Sequence, residues 1–187
     1  MIQIGNAPCS WGVEFAEDPR NPSWRKVLSD CAAAGYKGIE LGPIGFMPED
    51  PGVLADGLAR HDLTLIGGVV FRPFHDPAAW DEVMDAATRT CKALVAHGAQ
   101  HLVLIDSISP RRAPTAGRAA EAEQMGAAEW YAFRHRIATV AKTGPSEWLI
   151  RLLRGCSVCA WLRRPSVRLS GSEVCTMMAF KMQSRPT

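Results

Sequence analysis

Short apolar runs recur along the first 142 residues, and each is followed by a stretch whose apolar residues return every three or four positions. The first kind of run predicts a strand and the second an amphipathic helix. Strands are expected at Ile2–Gly5, Gly38–Gly42, Thr64–Phe71 and His101–Asp106. Helices are expected after Asn21-Pro22, with Trp24, Val27, Leu28 and Cys31 on one stripe, and after Asp50-Pro51, with Val53, Leu54 and Leu58. A third should follow Asp76-Pro77, turning Trp80, Val83, Met84, Ala87, Cys91, Leu94 and Val95 inward, and a fourth spans Ala127–Lys142 with Trp130, Phe133, Ile137 and Val140 inward. An Asn or Asp cap followed by proline opens three of these helices. Gly35 and Gly98 close two of them in the way a left-handed C-terminal residue does.

Strand starts 25 to 37 residues apart, with a helix in each interval, describe βα units and not a sandwich. The third strand, Leu-Ile-Gly-Gly-Val-Val-Phe, is apolar almost throughout, as parallel strands buried on both faces are. The chain is therefore expected to be α/β with a parallel sheet. After the first strand it reads Gly5-Asn6-Ala7-Pro8-Cys9-Ser10-Trp11-Gly12, with no G-x-G-x-x-G and no P-loop lysine, which argues against dinucleotide or ATP binding. Polar and aromatic residues gather instead at the strand exits, where (β/α)₈ barrels build their sites. A complete barrel takes about 250 residues, and this chain has 187. The expectation is a partial barrel of about four βα units.

Composition changes that picture only at one point. A hydrophobic fraction of 47% and a charged fraction of 21% are ordinary for a globular chain. The net charge of +2, however, divides into −3 over residues 1–142 and +5 over residues 143–187. That break marks a boundary just after Lys142, between a partial-barrel domain (1–142) and a divergent basic tail (143–187). In the tail, Ser146 is expected to cap a short helix carrying Trp148, Leu149, Leu152 and Leu153, beyond which no period persists. A shifted reading frame or a truncation and fusion would account for such a tail. Its Cys156-Ser157-Val158-Cys159 pair lacks the second pair a zinc site needs. Its arginines read as a solvated basic segment, with neither nucleic acid nor membrane as partner. The N-terminus has no signal-peptide pattern and no apolar run spans a bilayer, so reduced thiols and a cytoplasmic location are expected.

The segments GNAPCSWG, GIELGPIGFMPED, LIGGVVFRPFHDP and HGAQHLVLID resemble the opening strands of the xylose-isomerase-like TIM barrels, over roughly Ile2 to Lys142. The subgroup named by that resemblance is the sugar phosphate isomerases and epimerases that include inosose dehydratase. The resemblance implies isomerisation, epimerisation or dehydration of a sugar or polyol beside a divalent cation, Mn²⁺ or Mg²⁺. In the family the cation's ligands, two Glu, an Asp and a His, come from strands of the second half of the barrel. This chain has no H-x-H and no D-T-G-H after Lys142, and no histidine after His135. The expected ligand set is missing, so only weak metal binding is expected and no metal ligand is assigned.

Four residues stand out at the strand exits. Glu40 ends the second strand between apolar neighbours and should point into the barrel mouth; its catalytic reading competes with a structural carboxylate paired to a nearby Arg or Lys. Asp106 closes the fourth strand and is read as catalytic or as a cap on the following loop. His75 follows the third strand and Trp11 the first; both are read as substrate-binding, His75 against plain exposure and Trp11 against core packing. Glu40, His75 and Asp106 follow adjacent strands and are expected to converge. The leading expectation is a sugar or polyol isomerase/epimerase, or an inosose dehydratase-like lyase, truncated and weakly active or inactive. The alternative is a non-catalytic half-barrel that self-associates as a homodimer through its open strand edges.

Overall fold

The computed structural model describes residues 4–118, 120–144 and 149–152. Five strands form one parallel sheet in the order β1-β2-β3-β4-β5: β1 (Gly5–Asn6), β2 (Gly38–Glu40), β3 (Thr64–Arg72), β4 (His101–Asp106) and β5 (Leu149–Leu152). The helices between them are α1 (Trp24–Ala33), α2 (Pro51–Arg60), α3 (Trp80–Ala96) and α4 (Ala127–Ala141). Spatial order follows chain order with no reversal, so right-handed crossovers lay every helix on the same face. A doubly wound sheet would reverse its strand order part-way along. The sheet is singly wound.

Local chemistry explains most boundaries. Asp50 caps α2 by accepting the Val53 N–H at 2.9 Å, with Pro51 at the first helical position. Asp76 accepts the Ala78 N–H at 2.9 Å, but what it caps is a 3-10 turn, Pro77–Ala79, and α3 begins only at Trp80. At α1 the expected Asn21 cap is replaced by Ser23, whose hydroxyl accepts from Lys26 N, while Asn21 Nδ2 donates to the Phe15 carbonyl at 2.7 Å. Proline at 22 favours an extended residue before it and leaves Ser23 free to start the helix. Val95, expected to face inward, is 55% exposed, and Val53 is 43% exposed. Both sit at the edge of their helix's apolar stripe.

Residues Leu149–Leu152, expected in a helix, form β5 alongside β4, with His101 opposite Leu149 and Leu104 opposite Leu152. A segment as short as Leu-Ile-Arg-Leu has no period long enough to separate strand from helix, and pairing with an existing edge decides it. The Ser146 cap, the rest of the tail with its Cys156 and Cys159 pair, and the start of the first strand at Ile2 lie outside the described residues. Among the described residues, no helix is long and apolar enough to cross a membrane.

One core fills the space between sheet and helices. Ile39, Leu41, Leu65, Val70, Leu102 and Leu104 are at most 3% exposed and meet Val27, Leu28, Cys31, Leu54, Val83, Leu94, Phe133 and Val140 of the helices. Strand alternation then sends Glu40, Ile66, Val69, Phe71, Val103 and Ile105 to the other, inner face, where each is half-buried. Between Ile39 and Glu40 the register slips, so that Ile39 lies opposite Leu65 and Glu40 opposite Gly67. β3 thus carries a bulge at Ile66-Gly67. A Cβ on Gly67 would stand 2.9 Å from the His101 carbonyl oxygen, and one on Gly68 would stand 3.0 Å from Thr90 of α3. The glycine pair lets the bulge pass between its neighbours.

Candidate active site at the strand exits

In a parallel sheet all strands leave at the same rim. There, β3 continues into the turn Pro73–Asp76 and β4 ends at Asp106. Asp106 Oδ1 accepts the backbone N–H of His75 at 3.0 Å and lies 2.9 Å from His75 Nδ1. Asp106 is 14% exposed and His75 22%. An ionised carboxylate has no proton to give, so the bond to Nδ1 requires the imidazole to carry its hydrogen there, leaving the Nε2 lone pair outward when the ring is neutral. The sequence-level alternatives of exposure for His75 and loop capping for Asp106 give way to a joint arrangement. Asp106 does cap a turn, and in doing so it orients a histidine.

Glu40 lies elsewhere. By alternation it occupies the inner face, whereas Asp106 shares parity with Leu102 and Leu104 on the helix side. Glu40 is level with Gly67, and β3 runs five residues further to Arg72, the partner of Asp106, roughly 16 Å of strand rise. The expected convergence of Glu40, His75 and Asp106 is therefore corrected: two meet and the third does not. The physical reason is the period of two combined with unequal strand lengths, since β2 stops at Glu40 while β3 and β4 run on. Among the described residues no side chain pairs with Glu40, and burial pushes its carboxyl above the ordinary value. The neighbouring Cys9 thiol is also raised, first by burial and then by the Glu40 charge.

Trp11 ends the short 3-10 turn Pro8–Trp11 after β1. Its indole N–H donates to Asp30 of α1 at 3.1 Å and its ring packs against the core, so any contact with a substrate would be through the ring face alone. An aromatic pair missed in the sequence lies nearer the inner face. Phe15, 46% exposed in the β1–α1 connection, stands 6.0 Å from Phe71 near the end of β3, the two planes tilted by 38°. Nothing in the local pattern of Glu14-Phe15-Ala16 signals that contact. Arg136 of α4 was missed too, being one polar residue on a helix read only for its apolar stripe.

As a cation site the described residues do not fit. No group of three or more His, Cys, Asp or Glu gathers among them, and Glu40 is too far along the sheet to join His75 and Asp106.

No protein-family model matches the sequence, and no curated protein matches it. Solved structures do match in shape. A xylose isomerase-like TIM barrel protein from Mycobacterium smegmatis, in complex with magnesium, superposes with a TM-score of 0.57 at 13% identity, over 80% of this chain and 54% of that one. The fold is a partial TIM barrel. A D-allulose 3-epimerase from Methylomonas sp. gives 0.53 at 17% identity, covering 81% of this chain and 51% of that one. D-psicose 3-epimerase with D-tagatose from Clostridium cellulolyticum H10 gives 0.52 at 14% identity, covering 76% and 48%. The chain spans about half the length of the barrels it matches. In barrel terms, the core between sheet and helices is the outer layer, and Glu40, Phe71 and Ile105 line the barrel interior. The His75–Asp106 pair stands on the C-terminal rim, the end at which barrel enzymes hold their catalytic groups.

Proposed function

We propose that this chain handles a sugar or polyol in an isomerase or epimerase manner, with His75 Nε2 as the acceptor of the proton on the carbon next to the substrate carbonyl. The observation that carries this reading is the 2.9 Å contact of His75 Nδ1 with Asp106, which fixes the tautomer a base needs. Asp106 acts through the histidine. Phe15 and Phe71, with the ring of Trp11, offer apolar faces to the C–H side of a sugar ring. The structural likeness to barrels solved with D-tagatose and D-allulose supports ketohexoses as first substrates. An inosose dehydratase-like elimination begins with the same proton removal and is the finer alternative. A cytoplasmic setting and a boundary after Lys142 are part of the same proposal.

The test is exchange. Incubating the full chain with D-allulose, D-tagatose, D-fructose or a keto-inositol in D₂O, with and without Mn²⁺, should incorporate deuterium at the carbon beside the carbonyl. His75→Ala should reduce incorporation about a hundredfold or more. No incorporation above buffer for any of the four would refute the reading.

A second reading rests on the inner face. Val69, Phe71, Val103 and Ile105 stay half-buried there, and a second copy laid edge to edge would cover them and pair the open edge of β1. Mass measurement in solution at several concentrations decides it: a monomer throughout removes the homodimer.

A further inference from the structure

The turn that carries His75 is held from three sides. Phe74 is 1% exposed in the common core. Asp106 of β4 takes the His75 N–H and faces its ring. From α4, Arg136 donates Nε to the Phe74 carbonyl at 2.7 Å and Nη2 to the His75 carbonyl at 2.9 Å. The guanidinium is a rigid planar fork, matched to two successive carbonyl oxygens in a way a single ammonium is not. Among the described residues no carboxylate pairs with Arg136, so its charge is directed to those two carbonyls. Its own helix is anchored beside it, since Phe133, one turn earlier, is 2% exposed and Val140, one turn later, is fully buried.

Among the described residues, these contacts occupy the N–H, C=O and Nδ1 of His75 and leave only Nε2 uncommitted. Either partner alone would leave the residue a rotation. Asp106 fixes the ring against the amide, and Arg136 fixes the peptide plane that follows, so the two together set both the tautomer and the direction of the free nitrogen.

We propose that Arg136 is a positioning residue, locking the Phe74-His75 backbone so that Asp106 holds His75 in one tautomer with Nε2 presented at the rim. This rests on the reading of His75 as the proton acceptor. The experiment uses the full chain labelled with ¹⁵N, comparing wild type with Arg136→Ala, Arg136→Lys and Arg134→Ala, the last an exposed arginine on the same helix. Imidazole ¹⁵N shifts report the tautomer, amide hydrogen exchange at His75 reports the turn, and deuterium incorporation into the responsive ketose reports kcat and KM.

In wild type and Arg134→Ala the ring should show the Nδ1–H form alone. Arg136→Ala should give a mixture of tautomers, His75 amide exchange faster by about tenfold or more, and a fall in kcat with KM little changed. Arg136→Lys, able to hold one carbonyl, should lie between. Should Arg136→Ala fail to fold, the lysine variant decides alone, loss of the single tautomer supporting the proposal. Retention of the wild-type tautomer and amide protection, in the alanine variant or in a lysine variant standing alone, overturns it. If the tautomer shifts as expected but His75→Ala leaves deuterium incorporation intact, the clamp stands and the assignment of His75 as proton acceptor falls.

Discussion

Asp106 and His75 are 31 residues apart in sequence, yet one carboxylate oxygen meets both the backbone N–H of His75, at 3.0 Å, and its ring Nδ1, at 2.9 Å. The parallel pairing of β3 with β4, Arg72 opposite Asp106, brings the two strand ends level and makes that contact possible.

Replacing Asp106 by alanine removes both bonds from a group only 14% exposed. The expected loss of folding stability is about 2 kcal/mol, since a buried donor is left without its acceptor. Urea unfolding measures it, and a cost within about 0.5 kcal/mol, the range of ordinary surface changes, would show the turn to be held without the carboxylate. Asp106→Asn should cost less, because one oxygen can still accept, but should lower deuterium incorporation by weakening the hold on the tautomer.

Glu40→Gln should stabilise the protein at neutral pH. Burial raises the carboxyl above its ordinary 4.5 in the folded state, so folding favours the protonated form. Stability is therefore fullest below the unfolded value and declines as pH rises through the folded one. Glutamine removes the uncompensated charge, and its advantage should vanish near pH 4 and grow toward pH 7. Paired unfolding curves at those two values give the sign directly; an advantage equal at both would point to a packing effect.

Gly67→Ala should be costly although the residue is in a strand. Its Cβ would meet a backbone oxygen at 2.9 Å, and a backbone atom cannot swing aside as a side chain can. A cost of about 1–3 kcal/mol is expected from the forced shift between β3 and β4. Loss of hydrogen-exchange protection confined to Gly67–Phe71 and Leu102–Ile105 would confirm that the two strands are what moves.

Arg89 of α3 bridges Glu49 and Asp85, with side chains 40–62% exposed. Arg89→Met should cost under about 1 kcal/mol and lose its effect in high salt, as exposed ion pairs do. A larger, salt-independent cost would mean that the β2–α2 connection depends on this arginine for its shape.

The elements themselves were legible because their signals are local. His101–Asp106 falls where its short apolar run puts it, Pro51 and Asp50 open α2, and Gly35 and Gly98 close their helices at φ of 86° and 68°. Where a local signal had a competitor, it lost its place. Asn21 was drawn to the Phe15 carbonyl and ceded the cap to Ser23, and Leu149–Leu152 joined an open sheet edge. Of the site, Glu40, His75, Asp106 and Trp11 were picked out as polar or aromatic residues at strand exits, but not which of them meet.

The sequence by itself determined the βα units, their parallel sense and the residues at the rim, because hydrophobic period, caps and glycines act within a few residues. The tertiary structure decided that a bulge at Ile66-Gly67 sets the register and that Glu40 and Asp106 lie on different faces. It also brought Phe15 to Phe71 and Arg136 to His75. Those outcomes depend on register between strands and on packing between segments far apart in the chain, and no local pattern encodes either.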